Sequence, residues 1–204
     1  MTFQSVEYLI FLSIVFLLYW TVCRRCKNWQ NALVVIASLV FYARWDWRCM
    51  GLLLVTALST YASGRLISKT TSGSGRKVLL IGTLALNLGI LFFFKYFNFF
   101  VQALVSSFSL FFGTDVQIST LGIILPVGIS FYTFTALSYT IDVYQRKIEQ
   151  THDILSYLAY VMFFPSILSG PISRAQKQLP QYFKTRNFNC GLVTNACKSM
   201  VWGG

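Results

Sequence analysis

The feature that most constrains this chain is the alternation of long apolar runs with short basic joints. Phe3 to Val22 is apolar over about the length needed to cross ~30 Å of hydrocarbon, and the basic cluster "RRCK" follows it. No Lys or Arg precedes Arg24, whereas a cleaved leader carries positive charge before its apolar core. The run therefore reads as a retained anchor with its N-terminus outside. Hydrocarbon offers no water to unpaired amides and carbonyls, so such a chain must satisfy its backbone internally, in helices.

Composition supports that reading. Of 204 residues, 55% are hydrophobic, 17% aromatic and only 11% charged, which is too apolar for an ordinary soluble domain. The 17 Lys and Arg outnumber the 6 Asp and Glu, for a net charge of +11, as the basic cytoplasmic loops of a membrane protein require. These basic residues lie between apolar runs and form no continuous stripe, so nucleic acid is not a partner; the lipid bilayer is. The cysteines are Cys23, Cys26, Cys49, Cys190 and Cys197, and "CRRC" has the look of a metal motif. A zinc site needs about four close ligands, while the single histidine, His152, and the other cysteines are distant in sequence. Free thiols at helix ends are the reading preferred to a metal site.

Along the chain, Asn31 to Tyr42 forms a short second run whose flank, "FYARWDW", carries the Trp and Tyr of an outer membrane interface. Met50 to Ile67 returns inward, and "SKTTSGSGRK" reads as a flexible cytoplasmic loop. Val78 to Phe94 goes out again. In Phe97 to Phe112 the polar residues Asn98, Gln102, Ser106 and Ser109 recur at helical spacing, which suits a segment lying in the interface as well as one crossing it.

Leu121 to Val143 is long enough to span, disturbed near its start by Pro126 and Gly128, and it delivers Arg146 and Lys147 to the cytoplasm. Thr151 or Asp153 is positioned to cap a helix from Ile154. Ile154 to Leu168 is too short to cross and meets Pro165, Gly170 and Pro171, so it reads as a re-entrant half-helix. Arg174, Lys177, Lys184 and Arg186 make the following loop basic. The expected fold is all-α and polytopic, with about five to seven membrane helices or half-helices. No internal repeat or second domain is evident.

Chemistry concentrates in "LPVGISFYTFTALSYTIDVYQRK". Ser130, Tyr132, Thr133, Thr135, Ser138, Tyr139 and Tyr144 punctuate a greasy helix, where hydroxyls either hold neighbouring helices or line a passage. Asp142 near a membrane boundary is a functional candidate, with pairing to Arg146 four residues on as the bland alternative. His152 sits in the polar setting "QTHDI", which favours a solvated or capping role over catalysis. The chain has no Gly-x-Ser-x-Gly, no Walker loop, no dinucleotide fingerprint and no paired metal-binding histidines. A transporter or channel is disfavoured, since neither inverted repeats nor several intramembrane charges appear.

The succession "KYFNFF", "LPVGISFYTFTALSYTIDVYQRK" and "FFPSILSGPISRAQKQLPQY" resembles the N-terminal half of the membrane-bound O-acyltransferase family, in its alginate O-acetyltransferase-like branch. The D-alanyl transferase branch is similar in architecture, so acyl transfer to a cell-wall polymer is the alternative, as is a non-catalytic membrane assembly subunit. The resemblance implies one domain across residues 1–204, truncated from a larger multi-helix fold with a central funnel. It implies an acyl donor, acetyl-coenzyme A or a carrier-bound acyl group, used as substrate with no bound cofactor. It also implies a hydroxyl-bearing exported polysaccharide as acceptor, periplasmic acetylation proteins as partners and a bacterial inner-membrane location. Ser130, Tyr132, Ser138, Asp142, Tyr144 and Arg174 are the residues expected to line a passage or touch substrate, with Arg174 suited to a phosphate or carboxylate at the cytoplasmic mouth. The family's catalytic histidine belongs to the later half, and His152 does not match its motif. The chain ending at Gly204 is accordingly expected to be a truncated product, a gene fragment or a deliberately shortened form, inactive alone.

Overall fold

In the computed structural model of the chain the described residues are 6–22, 26–45, 47–112, 128–169, 174–187, 191, 193–195, 198 and 199. Within them, the side chains at 45, 48, 49, 97–112 and 167–169 are not described. The described residues contain helices and no strands. The helices are α1 (Val6–Thr21), α2 (Lys27–Trp45), α3 (Trp47–Lys69), α4 (Gly73–Phe112), α5 (Ile129–Tyr144), α6 (Ile154–Val161), α7 (Phe164–Ser169) and α8 (Ala175–Tyr182).

Two of these helices have the length and apolarity to cross a membrane by themselves, Met50–Lys69 within α3 and Gly73–Tyr96 within α4. The others do not reach that standard: α1 and α5 have 16 residues each, about 24 Å of rise. The outer faces are nonetheless suited to lipid. Leu9, Ile10, Ile14 and Leu17 on α1 and Val78, Ile81, Leu86 and Phe92 on α4 are all exposed, contiguous apolar surface that water would not tolerate on a monomer. On α4, Thr83, Asn87 and Leu91, spaced by four, are the buried stripe that turns inward.

Several boundaries differ from the sequence expectation, each for a local physical reason. "SKTTSGSGRK" is mostly helical: α3 runs through Lys69 and α4 starts at Gly73, leaving Thr70–Ser72 as the joint. Ser72 caps the new helix, its hydroxyl accepting from the Gly75 amide at 3.4 Å and its carbonyl from Arg76. Val78–Phe94 and Phe97–Phe112 are not separate segments but one 40-residue helix, because "KYFNFF" contains no Gly or Pro to stop it. At about 60 Å, that helix is twice the hydrocarbon thickness. The polar stripe expected at Asn98, Gln102, Ser106 and Ser109 lies among the undescribed side chains.

The broken segment is broken earlier than Pro165. α6 ends at Val161 with Met162 as its cap, and Pro165 occupies the first turn of α7, where a missing amide hydrogen is harmless. The Phe164 amide at the start of α7 donates to Ser38 Oγ of α2 at 3.3 Å. Arg174 to Lys184 is likewise more than a basic loop, since it contains α8. Gly128 precedes α5 with φ 74°, a left-handed conformation that its missing Cβ permits. Pro126, Gly170 and Pro171 lie outside the described residues, as does most of the expected lead-in to α5.

The core is a ring of tyrosines where α3, α5 and α6 meet. α3 packs most extensively on α5, and Gly64 is the reason they can approach. A Cβ at Gly64 would lie 2.6 Å from Tyr139 Cε1. Tyr139 cannot yield: its ring packs at a tilt against Tyr157, centroids 4.6 Å apart, and its hydroxyl accepts from the buried Thr151 amide at 3.1 Å. Tyr157 in turn shares a 2.7 Å hydrogen bond with Thr60 of α3. Small residues at a helix crossing are the usual means of close packing where lipid removes the hydrophobic drive between helices.

Gly64→Ala should therefore destabilise the bundle by about 1–3 kcal/mol. Gly82→Ala, where an added Cβ meets nothing within 4 Å, should leave stability unchanged or slightly raised. Thermal unfolding of both variants in detergent checks this.

Candidate functional site

The candidate residues concentrate toward one end of the bundle. Lys27 at the start of α2 pairs with Asp153 before α6, Tyr61 late in α3 donates to the His152 carbonyl, and Arg76 early in α4 reaches the Tyr144 carbonyl at the end of α5. With the Gln30–Arg186 bonds near the start of α2 and the turn after α5, these contacts bring Lys27, Arg76, Arg146 and Arg186 to the same end. They make it the basic end.

Asp142 is positioned by the way α5 stops. Lys147 N–H bonds to the Asp142 carbonyl and Arg146 N–H to Val143, with Arg146 itself in the left-handed region at φ 58°. This is the Schellman arrangement, usually built on glycine. It takes Arg146 off the helix face, so the alternative, an Asp142–Arg146 pair, does not form among the described residues. The Asp142 carboxylate instead accepts from the Gln176 amide of α8 at 3.4 Å. Arg174, the residue flanking α8, offers no side-chain cap, so Asp142 supplies a negative charge to that helix start from across the interface.

The remaining candidates spread over several faces of α5. Ser138 donates to the Thr135 carbonyl at 2.8 Å and meets the Tyr160 hydroxyl of α6 at 3.2 Å, forming a polar seam with Asp142 one turn later. Tyr160 also donates to Thr135. Tyr144 lies on another face, its ring 5.5 Å from the Arg76 guanidinium, while its carbonyl accepts from Arg76 at 2.8 Å. Tyr132 is wholly buried and Ser130 half-buried in the first turns of α5. Arg174 is exposed, two residues before the Gln176 amide that bonds Asp142. The structure thus aligns Ser138 and Asp142 on α5, and Asp142 bonds the α8 backbone two residues after Arg174, whereas Tyr144 lies on another face.

His152 is exposed, its ring 3.1 Å from Gln150 Nε2. It lines a polar pocket of about 630 Å³ at the basic end, together with Arg76, Arg146 and Glu149. The Arg76 Nε in this region is buried without a hydrogen-bond partner. Cys26 is free and exposed, and among the described residues no cluster could hold a metal.

A second polar network was not legible in the sequence. Asn31, fully buried on α2, donates to Ser156 Oγ and to the Tyr182 carbonyl, both at 2.9 Å, and accepts from the Arg186 guanidinium. Its neighbour Gln30 pairs with both backbone groups of Arg186, donating at 2.8 Å and accepting at 3.0 Å. Two adjacent amides in "NWQN" at the head of an apolar run were the available signal. Asp153 joins in as the cap of α6, accepting from the Ser156 amide at 3.2 Å and hydroxyl at 2.8 Å. Burial pushes the Asp153 carboxyl up, but the Ser156 bonds and the Lys27 ammonium outweigh it and hold the group below the ordinary carboxylate value.

Comparison with known proteins shows what this chain is similar to. The chain is 32% identical over 206 residues to the probable alginate O-acetylase AlgI of Pseudomonas putida, covering 100% of this chain and 41% of that protein. Against the Pseudomonas aeruginosa protein of the same name it is 35% identical over 208 residues, covering 100% and 38%. Over its whole length the chain is similar to alginate O-acetylases. A peptidoglycan O-acetyltransferase of Helicobacter pylori is also similar, at 30% over 203 residues, 87% of this chain and 37% of that protein. The chain spans about two-fifths of the length of these relatives. No family model matches, and no solved structure matches significantly. Every helix named above lies within the stretch shared with the alginate O-acetylases.

Asp153 yields a prediction with a definite sign. A carboxyl whose folded value is depressed contributes stability above its unfolded value near pH ~4 and loses it as pH falls through the folded one. Asp153→Ala should cost about 1 kcal/mol at neutral pH through the lost cap. Asp153→Asn keeps a cap acceptor but not the titrating charge. Its stability, measured by unfolding between neutral and acid pH, should fall less steeply below about pH 4 than that of the unaltered chain.

Proposed function

We propose that this chain forms part of a membrane O-acyltransferase that moves acetyl groups from a cytoplasmic donor to hydroxyls of an exported polysaccharide such as alginate. The observation that carries the reading is the identity to alginate O-acetylases over the whole chain. The fold is compatible with it: an all-helical bundle with lipid-suited outer faces and a basic end. In this reading the chain is a multi-pass protein of the bacterial inner membrane, its N-terminus outside and its basic end in the cytoplasm. Periplasmic acetylation proteins are its partners.

The donor is acetyl-coenzyme A or a carrier-bound acyl group. Both carry phosphate, and the pocket of about 630 Å³ offers Arg76 and Arg146 at the end where such a donor would arrive. Arg174, exposed at the start of α8 near the Asp142–Gln176 bond, is a further anion contact. Asp142 acts indirectly, fixing the start of α8 and with it the position of Arg174. With a thioester donor, the carbon–sulfur bond breaks as the acyl carbon bonds to the acceptor oxygen, and the released thiol takes up the hydroxyl proton. The Helicobacter pylori relative favours a second acceptor class, a cell-wall glycan.

Deleting the coding sequence in its source cell tests the reading. Acetyl esters on the exported polysaccharide should be lost, and replacing the gene with an Arg174→Gln form should restore them only weakly, about tenfold below normal. Base-released acetate per sugar measures both. Unchanged ester content after deletion overturns the proposal.

A further inference from the structure

A second cavity, of about 340 Å³, lies between α1, α2, α7 and α8, away from the polar pocket. One wall is a single face of α1: Leu12, Val15, Phe16 and Tyr19 follow the i, i+3, i+4, i+7 spacing. That stripe is about 10 Å long. Phe163 and Phe164, at the break between α6 and α7, line the opposite side.

The polarity along this slot is graded. At its Tyr19 end the Arg186 guanidinium lies 5.4 Å from the Tyr19 ring and 4.9 Å from the Tyr182 ring. Its hydrogen-bond partner is the neutral Asn31 amide, and its Nε is buried without a partner. Among the described residues no carboxylate pairs with it, the one ion pair being Lys27 with Asp153. A half-buried cation without a counter-ion is expensive, and a cation at one end of an apolar slot is complementary to an anion that carries a hydrocarbon tail.

We propose that this slot binds an anionic phospholipid, with a phosphate oxygen on Arg186 and one acyl chain along the Leu12–Phe16 face of α1. Basic sites between membrane helices hold lipid headgroups by this chemistry. The gradient sets the lipid's direction: its headgroup lies at the basic end and its tail runs toward the middle of α1. The site is separate from the donor pocket and does not depend on the acetyl-transfer reading.

Native mass spectrometry of the purified chain in mild detergent tests this, with phosphatidylglycerol and phosphatidylcholine of the same acyl chains offered in equal amounts. Phosphatidylglycerol should be retained about fivefold over phosphatidylcholine, the increment of one arginine near a membrane surface. Arg186→Gln should remove the preference. Val15→Trp fills the slot without touching the Arg186 hydrogen bonds, and should remove it too while helical circular dichroism is unchanged. Excess inorganic phosphate should not displace the lipid. Equal retention by the unaltered chain, a preference that survives in either variant, or displacement by inorganic phosphate overturns the proposal.

Discussion

The bundle depends on the seat of Tyr139 against Gly64. In lipid the hydrophobic effect does not drive helices together, so close packing and buried hydrogen bonds must. Tyr139 supplies both: its ring fills the notch in α3 and packs at a tilt against Tyr157 of α6, while its hydroxyl receives the Thr151 amide ahead of α6. Three elements are fixed by one side chain. α6 then presents Asp153 to Lys27 and Ser156 to Asn31, which fastens it to α2 as well.

The same rule governs several of the described interruptions of the backbone. A helix end exposes amides and carbonyls, and at membrane depth these need protein partners. Here the partners come from distant helices. Ser38 receives the Phe164 amide, Asp142 the Gln176 amide, and Tyr144 offers its carbonyl to Arg76. Gln30 binds both backbone groups of Arg186. Short, broken helices therefore sit in this chain without the usual penalty, and the breaks set where Arg174 and Arg186 stand.

The apolar runs were legible because hydropathy is a local property. α1, α2, α3 and the cap at Asp153 fall close to where the residues placed them. Composition misled at "SKTTSGSGRK", where glycine and serine promised a loop but Ser72 starts a helix. Long-range pairing was invisible: nothing near Asp142 in sequence announces the Gln176 amide, and the left-handed turn at Arg146 removes the partner that i, i+4 spacing suggested. The family motifs were legible as strings, yet the structure distributes their polar residues over several faces of α5. Asn31 and Gln30 escaped notice because a buried amide differs from a surface one only through its partners.

These contacts gather the basic helix ends at one end of the bundle, and the proposed topology puts that end in the cytoplasm. Labelling with a membrane-impermeant maleimide tests it most directly, in a form whose five native cysteines are replaced by serine. Ser72→Cys marks the basic end, and Trp47→Cys marks the far end of the same α3 hairpin. Intact cells should label Cys at 47 and leave Cys at 72 unmodified until the membrane is permeabilised. Labelling of position 72 in intact cells, with position 47 protected, would contradict the account.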